Sequence, residues 1–240
     1  MLIYPVIDIK NGQCVRTKKG HYDNLSIYSH FPAKMAQEWE NQGARFLHII
    51  DLDGAVVGHP VNESVIKSMI ENVTIPVQVG GGIRTIQDIE RTLALGAAKV
   101  VIGSKAAQSP AFIKEAVNIF GAERLVISID AKDNMVMMDA WEKVSIYSTV
   151  SLAKMMEELG IQTVVYTDVN RDGMLEGANL IFAKELIDAT GLDVIVSGGI
   201  SSLTDLERLH EIGAKGAILG KSLYEHKIEL KNAIEIFQES

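Results

Sequence analysis

The feature that most restricts the fold of this chain is a long internal repeat. Residues 75–104 superpose without a gap on residues 192–221, a constant shift of 117 (192 − 75). Under that shift Val77, Val79, Gly81, Gly82, Ile83, Asp88, Glu90, Arg91, Gly96, Ala97 and Gly103 each meet an identical residue. It extends backwards through Ala36, Glu40, Gly43, Asp51 and Asn62, which fall on Ala153, Glu157, Gly160, Asp168 and Asn179. Further upstream the shift becomes 122, and Ile7, Asp8 and Lys10 fall on Ile129, Asp130 and Lys132. Solenoid repeats have periods of about 20–50 residues. A period of half the chain is a duplicated half-domain.

Each half reads strand, loop, helix. Residues 46–50, 99–102, 125–129, 163–166 and 194–196 are short β-branched runs of the kind buried in parallel sheets. Between them lie amphipathic segments such as residues 85–94, with Ile86, Ile89 and Leu93 on one face. Gly43, Gly96, Gly121, Gly160, Gly191 and Gly213 stand where helices should stop. Four such units per half predict an α/β fold, a (β/α)8 TIM barrel. It forms one domain over residues 1–240, with half-barrels of about 1–120 and 121–240. The 240 residues suit that size. An open doubly wound sheet is the alternative, but its strand order does not readily accommodate a symmetric duplication. Two long loops, residues 10–32 and 131–149, break the rhythm and read as lids or binding segments.

Composition narrows the function. The net charge is −8, with Lys and Arg spread along the chain, which argues against nucleic-acid and membrane-surface partners. A small anionic ligand remains compatible, because helix N-termini bind phosphate locally. Cys14 is the one cysteine, so neither an intrachain disulfide nor a zinc cluster is available. The N-terminus reads as a first strand rather than a signal peptide, and no apolar run approaches the roughly 18 residues of a membrane span. A cytoplasmic protein is expected, and a monomer.

Gly81-Gly82 and Gly198-Gly199 each end a strand and open a helix, where backbone N–H groups can meet an anion. One strand later come Gly103-Ser104 and Gly220-Lys221. In a barrel these turns pair into two phosphate cradles, at strands three–four and seven–eight, the latter a frequent phosphate site. A single Gly-Gly turn is most often only tight packing. Four turns related by symmetry predict a ligand with a phosphate at each end. Asp8 and Asp130 end strands one and five, which stand opposite each other in such a barrel. Unless a structural salt bridge with Lys10 or Lys132 occupies them, two facing carboxylates suit general acid–base chemistry. The chain offers neither the histidine spacing of a zincin nor a nucleophile elbow, so no metal or other cofactor is called for.

The runs 5–12, 80–84, 166–173 and 197–200 together resemble the phosphoribosylformimino-5-aminoimidazole carboxamide ribotide isomerase family of histidine biosynthesis, collinearly over nearly the whole chain. That resemblance implies an Amadori rearrangement of an N-linked aminoaldose to an aminoketose, with Asp8 as the base and Asp130 as the acid. It also implies that His48, Thr167 and Asp168 line the pocket and that Trp141 stacks on the imidazole carboxamide. Arg16, Arg84 and Asp172 lie on segments at the mouth. Against these stand a satisfied core histidine for His48, packing within its loop for Trp141, and plain solvation for the charges. Some relatives also isomerise phosphoribosyl anthranilate with an arginine two residues before that tryptophan. Asp139 stands there, and its charge predicts a single activity. The pathway's barrel cyclase, a flavin barrel and a non-catalytic phosphosugar binder are the competing readings.

Overall fold

The computed structural model describes residues 1–18 and 21–238. Eight strands form the barrel: β1 (Leu2–Lys10), β2 (Leu47–Asp51), β3 (Val77–Gly80), β4 (Lys99–Ile102), β5 (Leu125–Lys132), β6 (Thr163–Asp168), β7 (Asp193–Ser197) and β8 (Gly216–Leu219). Each pairs in parallel with the next. The sheet closes where β8 meets β1, with Pro5 opposite Leu219. Closure leaves no barrel edge unpaired.

Alternation along each strand divides the apolar residues into two layers. Ile3, Ile7 and Ile9 of β1 face outwards into the shell between strands and helices. Tyr4 and Val6 face inwards, where they join Val101, Val126, Val165, Ile195 and Ile218 in a plug that fills the barrel. Asp8 continues the inward series two residues beyond Val6, and Asp130 follows Val126 and Ser128 in the same way. Both carboxylates therefore stand above an apolar floor.

The duplication is visible in the helix starts. Thr85 caps the helix Ile86–Ala94 and exchanges hydrogen bonds with Asp88, and Ser202 does the same with Asp205 ahead of Leu203–Glu211. Of the helix-ending glycines, Gly191 departs from expectation. The helix Leu180–Ala189 ends on an extended Thr190, and Gly191 has no positive φ.

Both segments expected as long loops contain hairpins. Gln13–Lys18 turns back along β1, with Asp8 opposite Val15, and pairs with His21–Ser29. Met135–Met138 does the same on β5 and pairs with Lys143–Ser148. Positions 19 and 20 of the first segment lie outside the described residues. The hairpins account for β1 and β5 running past their aspartates, because the added residues carry the antiparallel ladder.

Candidate active site

The C-terminal mouth of the barrel holds a cavity of about 200 Å³. Asp8, Arg16, His48, Gly81, Gly82, Arg84, Gly103, Ser104, Asp130, Trp141, Thr167 and Asp172 all line it. A recess of about 20 Å³ shares Arg16 and Asp172 with the cavity and is walled by Gly198, Gly199, Gly220 and Lys221.

Asp8 is buried, and its Oδ2 accepts from Arg16 Nη1 at 2.5 Å. The partner is thus Arg16 of the first hairpin, not Lys10. Asp172 lies on the other side of the same guanidinium, 3.8 Å from Nη2. Burial pushes the Asp8 carboxyl up to about 6; Arg16 pulls against that shift and Asp172 adds to it. Burial also raises Asp172. One cation is therefore shared by two buried carboxyl groups.

Asp130 accepts from Ser128 Oγ at 2.9 Å and from Trp141 Nε1 at 2.8 Å. Trp141 thus sits on the carboxylate in this conformation rather than lying free for a ligand ring. It ends a run of three non-glycine residues with positive φ: Asp139 at 52°, Ala140 at 54° and Trp141 at 71°. Each such residue costs roughly 1–2 kcal/mol and persists only where contacts enforce it. Asp139 supplies those contacts. Its N–H donates to Ser104 Oγ at 2.8 Å, and its carboxylate accepts from Lys143 Nζ at 2.9 Å and Gln108 Nε2 at 3.1 Å, with Arg84 Nη2 at 3.8 Å. Asp139 therefore engages Ser104, expected at the three–four cradle, and Arg84, expected at the mouth.

The two cradles have matching backbones: Gly103 has φ −95°, ψ −113°, and Gly220 has φ −115°, ψ −102°. Their Gly-Gly turns carry a second constraint. A Cβ on Gly81 would stand 2.2 Å from the Asp51 carbonyl oxygen, and one on Gly198 would stand 2.7 Å from that of Asp168. These glycines are needed for packing, whatever they bind.

Asp168 is the one expected site residue that lines neither hollow. Its Oδ1 accepts from the N–H groups of Asn170 and Arg171, and its Oδ2 accepts from Asn179 Nδ2 at 2.6 Å. Asp51 makes the symmetric clamp on Gly54, Val61 and Asn62. Both aspartates fasten the loop after their strand, which explains why the repeat preserves them. His48 combines two expectations that had been alternatives. Its Nδ1 lies 2.6 Å from Gln78 Nε2, as in a satisfied core histidine, yet the ring forms part of the cavity wall. Burial, helped by Arg16, lowers its pKa to about 3, so the ring is neutral at ordinary pH.

A family model described as histidine biosynthesis protein matches residues 2–229. The chain belongs to that family. Among its similar relatives are proteins named 1-(5-phosphoribosyl)-5-((5-phosphoribosylamino)methylideneamino)imidazole-4-carboxamide isomerase. The one from Lachnoclostridium phytofermentans is 55% identical over 239 residues, covering 100% of both chains. That from Syntrophomonas wolfei is 48% identical, covering 98% of this chain and 97% of the relative. That from Acetivibrio thermocellus is 44% identical, covering 98% and 99%.

Within this histidine biosynthesis family member, three residues of interest were not singled out from sequence. Lys105 lines the cavity beside Ser104. The repeat carried its signal, since Ser104-Lys105 is aligned with Lys221-Ser222 and each cradle keeps one lysine in swapped order. Ser128 is placed by its two-residue spacing from Asp130. Gln78 is fully buried in the barrel interior and had no motif to mark it. Among the described residues no helix is long and apolar enough to cross a membrane.

Proposed function

We propose that this chain is the isomerase that converts the N-linked aminoaldose carrying two phosphoribosyl groups into the corresponding aminoketose in histidine biosynthesis. The observation that carries the reading is the meeting of Asp8 and Asp130, from opposite strands, on one cavity flanked by two symmetry-related glycine turns. The names borne by relatives along the full chain length support it.

In this reading one phosphate enters the turn of Gly81, Gly82, Gly103 and Ser104, with Arg84 and Lys105 beside it. The other enters the turn of Gly198, Gly199, Gly220 and Lys221. The reacting sugar is then drawn across the mouth. Asp130 passes a proton to the ring oxygen as the C1–O bond breaks, leaving an open-chain Schiff base. Asp8 takes the proton from C2, the electrons move into the C1–C2 bond, and the enolamine that forms tautomerises to the ketone. A base with its pKa near 6 is ionised at neutral pH yet still a useful proton acceptor. Arg16, paired on its far side with Asp172, holds that carboxylate in place, and Thr167 and His48 bind oxygens of the open chain. Trp141 has to leave Asp130 before the acid can act. Phosphate arriving at Ser104 and Arg84 competes for the groups that hold Asp139, and so releases the tryptophan to cover the imidazole ring.

The ligand is a small molecule, and the protein acts as a cytoplasmic monomer without nucleic acid, membrane or cofactor. Asp139, placed where dual-activity relatives carry arginine, repels the carboxylate of phosphoribosyl anthranilate. The test is to supply the purified protein with the aminoaldose and separate aldose from ketose by chromatography. Catalytic conversion is expected, with no turnover of phosphoribosyl anthranilate. An unchanged aminoaldose would overturn the assignment.

A further inference from the structure

His48 and Gln78, on adjacent strands and opposite each other in register, place a buried polar pair among the inward-facing residues that form the apolar plug. The repeat aligns these two positions with Val165 and Ile195, which belong to the plug. So the polar pair is present together in one half and replaced together in the other. Gln78 is fully buried and its Oε1 has no hydrogen-bond partner, whereas a valine or isoleucine would pack there without leaving a polar atom stranded. Packing alone does not account for a glutamine at this position.

What the amide does is fix the ring beside it. With Gln78 Nε2 donating to Nδ1 of His48, the ring hydrogen must reside on Nε2. Turning the amide over would let its oxygen accept from Nδ1–H, and the ring would then present a lone pair to the cavity. It would also strand an NH2 group, which is less well tolerated in an interior than a stranded carbonyl oxygen. We propose that Gln78 is a positioning residue that holds His48 in its Nε2–H form, giving the cavity a permanent uncharged hydrogen-bond donor for an oxygen of the open sugar chain. The lowered pKa of His48 agrees with a donor that never becomes a cation in use. Such a donor stabilises negative charge building on a substrate oxygen without becoming a stray acid beside Asp8. This deepens the isomerase reading and rests on it for its role in turnover.

The test separates the two. In substrate-free protein labelled with 15N-histidine, long-range proton–nitrogen correlation reads the tautomer of each ring, and a His48→Phe variant identifies the relevant signal. The expected result is hydrogen on Nε2 and an uncharged ring from about pH 5 to 8. Gln78→Met, similar in size but unable to donate, should mix the tautomers and lower kcat about tenfold with KM little changed. Gln78→Glu, which can only accept while ionised, should invert the tautomer. A wild-type ring with hydrogen on Nδ1, or a charged one, overturns the proposal without need of any variant. So does a Gln78→Met protein whose tautomer and kcat match the wild type. Absence of isomerase activity alongside the expected tautomer would instead strike at the proposed function.

Discussion

At the scale of single residues, burial governs the chemistry. Burial raises the Asp8 carboxyl to about 6, even with a guanidinium beside it. If Asp8 is the base, it works only when ionised, so kcat/KM should fall as pH drops through about 6. A pH profile checks this, and an acid limb centred near 4 would contradict it. His48 cannot supply that limb, since its own pKa lies near 3. The same shift has a cost in folding. The folded carboxyl titrates above its ordinary value of 3.8, so the stabilisation its proton confers is present below about pH 4 and lost as pH rises through 6. Glycine at 81 answers to a different constraint, because a methyl group there would collide with the backbone of β2 at a φ of 106°. Gly81→Ala should cost about 3 kcal/mol of stability, read from urea denaturation. A loss well under 1 kcal/mol would show that the turn is not so constrained. These contacts explain why a Gly-Gly turn in a sequence signals both packing and anion binding, and why the sequence gives no means of separating them.

At the scale of elements, the second hairpin is the part poised to move. Its tip holds three residues in the left-handed region, and Asp139 anchors it to the cradle where a phosphate is expected. Removing that negative charge should favour the phosphate over the latch. Asp139→Asn is therefore expected to tighten binding of inorganic phosphate about threefold, the scale of a partly exposed ion pair. Calorimetric titration measures it, and weaker or unchanged binding would count against the latch. Neither hairpin was anticipated, although Asn11-Gly12 and Asp133-Asn134, all four with positive φ, are the two-residue turns that join each to its barrel strand. Met135–Met138 and Lys143–Ser148 lack a two-residue turn signal between them, and their ladders depend on β5 continuing past Asp130. The strands themselves were legible, because β-branched runs buried on both faces have few alternatives. Helix starts were legible in part, through Asp88 and Asp205, whose identity under the repeat reflects their capping role.

At the scale of the whole molecule, the duplication separates frame from function. Residues identical in both halves, such as Asp51 and Asp168 or Asn62 and Asn179, fasten loops. Polar residues that differ between the halves, such as His48 against Val165 or Asp172 against Ala55, line the cavity. Asp8 and Asp130, like the glycines of the two cradles, are identical yet face the site. Asp168, marked by repetition and by family resemblance, lines neither hollow and holds the loop after its strand, while Gln78, marked by neither, escaped notice. Because β1 pairs with β8 and β4 with β5 across the two halves, the barrel should unfold in one cooperative step. Coincident urea transitions by fluorescence and circular dichroism are expected, and a stable half-unfolded plateau would contradict this. The central claim is that the two halves each deliver one working carboxyl group to a shared ligand. Its most direct test is turnover and binding of the aminoaldose by Asp8→Asn and Asp130→Asn proteins. Both variants should bind it with nearly unchanged Kd and convert it at least about a hundredfold more slowly; near-normal turnover in either would contradict the account.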